Sequence, residues 1–125
     1  MDARATNRFR GEAPEPRPGL ESGHIPGSAN LPFPAVLEEG PGGAAGGLQL
    51  KSPERRREAF AAAGVDVERA GLLGLTCGSG VTSCVLYAAL CALGRPAGGM
   101  AVYDGSFSEW GLPGQNRVAK GAPFS

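Results

Sequence analysis

The chain has 125 residues, 42% of them hydrophobic, which suits one compact domain with a core of its own. Its 12 basic and 12 acidic residues balance, so bulk charge points to no nucleic-acid partner. The longest apolar stretch, Val81 to Leu93, is interrupted by polar residues and too short to span a bilayer, and the first residues lack the charged, apolar, small-residue order of a signal peptide.

Asp2-Ala3-Arg4 follows Met1 with no apolar run before it. Residues 11–19 carry Pro14, Pro16 and Pro18 and read as an extended loop. Gly23 to Phe33 reads as a turn leading to a short strand near Ala29–Leu31. Residues 40–47 form a glycine-rich insertion with little to pack and no chemistry expected of it. Ser52-Pro53-Glu54 is a helix start: a capping hydroxyl, a proline in the first turn, then an acid favoured by the dipole. That helix is predicted to run to Ala63 and stop at Gly64, with Ala59, Phe60 and Ala63 on its apolar face. Leu72–Thr76 is predicted as a short buried strand and Ser79–Leu93 as a helix ended by Gly94. Met100–Tyr103 is a further strand, and a short helix follows around Ser106–Trp110. This alternation indicates an α/β fold, a parallel sheet flanked by helices, in one domain over residues 1–125.

The chemistry centres on Cys77. It ends an apolar run and opens the loop Gly78-Ser79-Gly80-Val81-Thr82, which feeds into the predicted helix. Glycines at 78 and 80 let successive N–H groups converge on one point, where they would favour a thiolate. Ser79 and Thr82 offer hydroxyls beside that point, and the C-terminal end of a parallel strand is where such sheets place ligands. A buried structural cysteine would also fit the apolar run. The glycine cradle, and the lack of a bulky apolar residue after Cys77, favour a reactive thiol. Cys84 and Cys91, seven apart on the helix, read as small core residues. With His24 the only histidine and no CxxC pair, zinc is not indicated; three free thiols suit a reducing compartment, cytoplasmic or mitochondrial rather than secreted.

The motifs together resemble the C-terminal, catalytic domain of a two-domain rhodanese-family sulfurtransferase. Residues 2–11 (Asp-Ala-Arg-Ala-Thr-Asn-Arg-Phe-Arg-Gly) resemble that family's opening segment, 23–30 (Gly-His-Ile-Pro-Gly-Ser-Ala-Asn) its first signature, and 103–110 (Tyr-Asp-Gly-Ser-Phe-Ser-Glu-Trp) its second. The loop Cys-Gly-Ser-Gly-Val-Thr at 77–82 is similar to that of the mercaptopyruvate enzymes, whereas thiosulfate enzymes usually carry basic residues just after the cysteine. The resemblance implies that Cys77 becomes a persulfide. It implies that Gly78, Ser79, Gly80, Val81 and Thr82 cradle the substrate, and that Arg8 and Arg17 hold its carboxylate and carbonyl. It implies a small-molecule sulfur donor, a thiol acceptor such as thioredoxin, and no cofactor or metal. His24, Asp104, Glu109 and Trp110 are read as turn and packing residues, and Arg4 and Arg10 as structural or solvated.

Two departures qualify these expectations. Met1 stands where the family has an apolar strand, so the first central strand is expected to be truncated. The family also has an upstream rhodanese-like domain that helps shape the site; without it, weak turnover and marginal stability are expected. The alternatives are a thiosulfate sulfurtransferase and a non-enzymatic sulfur-relay or interaction module. A cysteine phosphatase is disfavoured, because Ser83 stands where its Cys-x5-Arg loop needs arginine.

Overall fold

A computed structural model describes residues 1–125. Four helices, α1 (Thr6–Phe9), α2 (Pro53–Ala62), α3 (Ser83–Cys91) and α4 (Ser106–Trp110), and four short strands, β1 (Leu37–Glu39), β2 (Leu48–Leu50), β3 (Leu73–Leu75) and β4 (Met100–Val102), follow in the order α1, β1, β2, α2, β3, α3, β4, α4. β3 and β4 pair in parallel, Leu73 opposite Met100 and Leu75 opposite Val102. On the other side of β3, Asp2 makes parallel bridges to both Thr76 and Asn30. The ammonium of Met1 donates to the Gly74 carbonyl at 2.7 Å. The Thr76 N–H donates to Met1 O and the Ala3 N–H to Thr76 O, each at 2.9 Å. The central sheet is therefore four parallel segments wide, with Asp2 bridging between Asn30 and the end of β3.

Helix α3 packs on β3 and β4, and α2 joins it against the turn at Phe33–Val36 to close the core, where Val36, Phe60, Leu75, Leu86 and Leu90 are fully buried. α2 forms as its sequence requires. Ser52 Oγ accepts from the Arg55 N–H at 3.4 Å, Pro53 opens the first turn, and Gly64 leaves the helix at φ +75°. Arg56, buried in the same helix, donates from Nη1 to the Ala89 carbonyl at 2.8 Å and so ties α2 to α3. A second buried group gathers around Arg4, Phe9, His24 and Phe107. The Phe9 and His24 rings stack with centroids 3.8 Å apart, and the Arg4 guanidinium lies 3.9 Å over the Phe107 ring.

The architecture is the expected α/β one, with three corrections of detail. Leu37–Glu39 and Leu48–Leu50 form an antiparallel hairpin, with the glycine-rich stretch as its connection. The third helix begins at Ser83 rather than Ser79, because Gly80, at φ +91°, breaks the helical path. Cys84 and Cys91 are exposed and not in the core. The buried face of α3 is instead Ser83, Leu86, Ala89 and Leu90.

Candidate active site

Cys77 lies just past the C-terminal end of β3 and is only 1% exposed. The start of α4 sets its backbone. The Phe107 N–H donates to the Cys77 carbonyl at 3.0 Å and the Ser108 N–H to the Gly78 carbonyl at 2.9 Å. The Cys77 N–H donates to Ser106 Oγ at 3.2 Å. The free amides of a helix start thus engage the loop carbonyls, and the amides farther along the loop are left to face the sulfur. The Gly80 N–H donates to Cys77 Sγ at 3.1 Å. A Cβ on Gly80 would sit 2.9 Å from the Asp104 carbonyl oxygen, so close packing and positive φ both demand glycine there. The Gly80 carbonyl is held in turn by the Ser83 hydroxyl at 3.0 Å and the Cys84 thiol at 3.3 Å.

Burial pushes the Cys77 pKa up. The Thr82 hydroxyl, the Ser83 amide and hydroxyl, and the Ser79 amide pull it down by more, and the thiol settles at about 7. The thiolate is therefore far more accessible at neutral pH than in an ordinary cysteine.

A cavity of about 240 Å³ opens beside the sulfur. It brings together Arg8, Arg17, Gly78, Ser79 and Thr82 with Cys77. Gly80 lies behind it and acts through its N–H. Val81 is not among the lining residues, and its side chain is 70% exposed. Arg8 arrives on α1, and its Nη2 lies 2.9 Å from where a Cβ on Gly78 would be, so the glycine leaves it room. Arg17 stands exposed at the rim without an ion pair. His24 is away from the cavity and fully buried, with Nδ1 2.8 Å from the Phe9 carbonyl oxygen and Nε2 3.1 Å from Ser125 Oγ. No group of three or more His, Cys, Asp or Glu side chains is arranged to hold a metal ion.

Two residues here went unread in the sequence. Ser106 receives the Cys77 N–H while adopting φ +49°, a left-handed conformation uncommon for serine. Glu15 lines the cavity and pairs with both Arg4 and Arg8 at 2.5 Å. The signal for Glu15 was a lone acid fixed between two prolines, two residues before Arg17. The fold of the loop that carries it to Arg8 has no local pattern.

No family model matches the chain. Individual relatives do. The chain is 48% identical over 112 residues to the 3-mercaptopyruvate sulfurtransferase of Homo sapiens, covering 88% of this chain and 33% of the relative. It is 44% identical over 124 residues to the thiosulfate sulfurtransferase of Cricetulus griseus, covering 97% and 38%. Among solved structures, it superposes on the sulfur transferase subunit of yeast mitochondrial complex I with a TM-score of 0.75 at 40% identity, covering 96% of this chain and 37% of that one. The chain thus spans about a third of the length of these relatives. On fold, identity and coverage together, it belongs to the rhodanese-fold sulfurtransferase family, related to the catalytic domains of the mercaptopyruvate and thiosulfate enzymes.

Proposed function

We propose that the chain carries out sulfur transfer through a persulfide on Cys77, with 3-mercaptopyruvate as donor. The observation that carries this reading is a thiol of pKa about 7 in a cavity it shares with Arg8 and Arg17. The thiolate attacks the donor's sulfur. A sulfur–sulfur bond forms, the donor's carbon–sulfur bond breaks, and its electron pair leaves on carbon as the enolate of pyruvate, which then takes a proton. The outer sulfur stays on Cys77 as a persulfide facing the loop amides. An acceptor thiolate attacks that outer sulfur and frees the Cys77 thiolate, so the cycle needs no external oxidant or reductant. Arginine suits both the donor's carboxylate and the oxygen that gains charge in the enolate. We assign these two tasks to the pair Arg8 and Arg17, which share the cavity. Reduced thioredoxin is the proposed protein acceptor, and a reducing compartment, cytosol or mitochondrion, is the proposed setting for the free thiols.

The second reading is thiosulfate as donor, favoured by the 44% identity to a thiosulfate sulfurtransferase over 97% of this chain. The neutral Gly78-Ser79-Gly80 sequence favours mercaptopyruvate, because a sulfonate dianion gains more from cationic residues in the loop. Intact-mass measurement separates the readings. Incubation with 3-mercaptopyruvate should add about 32 Da, one sulfur atom, to the wild-type chain and nothing to Cys77→Ser. A gain from thiosulfate alone replaces the first reading with the second. A gain only from a preformed persulfide makes the chain a sulfur relay, and no gain from any of the three removes the transfer function.

A further inference from the structure

Glu15 is a buried acid to which the transfer chemistry gives no task. Its side chain is 3% exposed, yet it lines the cavity beside Cys77. Oε1 accepts from Arg4 Nη1 at 2.5 Å, and Oε2 accepts from Arg8 Nη2 at 2.5 Å. Arg8 Nε reaches Oε1 at 3.3 Å. Arg4 does not depend on Glu15 for charge balance, since Asp2 already holds it through Nη2 at 2.7 Å. The partner left without a second acid is Arg8, and Glu15 occupies one whole edge of its guanidinium. Both hydrogens of Nη1 and the second hydrogen of Nη2, the far edge of the Arg8 guanidinium, are left for a ligand. The cavity lining carries two cations, Arg8 and Arg17, and one anion, Glu15, for a net charge of +1. An incoming anion also meets the Cys77 thiolate. With the thiolate counted the lining is neutral, so a doubly charged donor leaves one more uncompensated negative charge in this partly desolvated cleft than a singly charged one does.

We propose that Glu15 is a specificity-determining residue: by occupying one edge of Arg8 and cancelling one of the cavity's two positive charges, it sets the site for a monoanionic 2-oxo-acid donor over a dianion such as thiosulfate. This rests on the reading of the cavity as the donor site, so its test is made independent of turnover. The probe is the protection of Cys77 against iodoacetamide by two non-reacting anions, pyruvate with one charge and sulfate with two. Pyruvate should protect the wild-type chain at lower concentration than sulfate. Glu15→Gln, similar in shape but neutral, should strengthen protection by sulfate relative to pyruvate by about tenfold, the effect of one unit charge at partly screened range. Glu15→Asp should keep the wild-type order. The proposal is overturned if sulfate protects the wild type as well as pyruvate does. It is equally overturned if Glu15→Gln leaves the ratio unchanged, or if Glu15→Asp loses the preference while keeping the charge. Should Glu15→Gln fail to fold, the wild type still overturns the proposal if sulfate protects it as well as pyruvate does. A shifted ratio in a chain that forms no persulfide would retain the role of Glu15 and remove sulfur transfer.

Discussion

At the scale of the residue, Cys77 is governed by a contest between burial and hydrogen bonding that hydrogen bonding wins. Alkylation of Cys77 by iodoacetamide, followed by peptide mass, should therefore rise with pH through a midpoint of about 7. Thr82→Val removes the first of the groups that lower this pKa and should move the midpoint upward. The same shift bears on stability. Cys77 loses its proton in the folded chain at about 7 and in the unfolded chain near its ordinary value of 9.0. Between those limits the unfolded state binds more protons, so folding is favoured increasingly as pH rises from 7 to 9. Thermal melts across that window should show the wild type gaining on Cys77→Ser; parallel curves would contradict the low pKa. Cys77, Gly78 and Gly80 were legible as a cradle because backbone chemistry at a strand-to-helix turn depends on adjacent residues. Glu15 was not, because its meaning depends on Arg4 and Arg8, which only the folded loop brings to it.

At the scale of the element, the loop owes its shape to α4 as much as to its own glycines. Gly80→Ala places a methyl against the Asp104 carbonyl in a left-handed conformation and should cost about 1–3 kcal/mol in denaturant unfolding. It should also raise the Cys77 midpoint, since relieving that clash shifts the loop and draws the residue-80 N–H away from the sulfur. The α2–α3 contact is a different kind of joint. Phe60 is fully buried, and Phe60→Ala should cost about 3–5 kcal/mol by the same measurement. α2 was legible to within a residue because hydroxyl, proline and glycine mark its two ends. The inner face of α3 was not legible. Cys84, Val85, Leu86, Ala88, Ala89, Leu90 and Cys91 are nearly all small or apolar, so spacing alone could not tell the two exposed cysteines from the core. The β1–β2 hairpin was missed for a related reason: three-residue strands are too short to display an alternation.

At the scale of the whole molecule, the central sheet is assembled from distant pieces, Asn30, Asp2, β3 and β4, held by few hydrogen bonds each. The order of strand and helix fixed the α/β class in advance, because alternation is a property of the whole chain. From the sheet a line of ion pairs leads outward, Asp2 to Arg4, Arg4 to Glu15, Glu15 to Arg8, and ends in the cavity beside Cys77. Arg4→Met should lower the melting temperature, since it strands Asp2 in the interior.

That line couples two properties that most proteins can vary separately. A change selected only for robustness at Asp2 or Arg4 loosens Glu15, and through it the charge presented to the substrate. With Glu15 in its proposed role, the stability and the donor preference of this chain form one trait for mutational drift or laboratory evolution, and neither can be tuned from the inner end of the line without retuning the other.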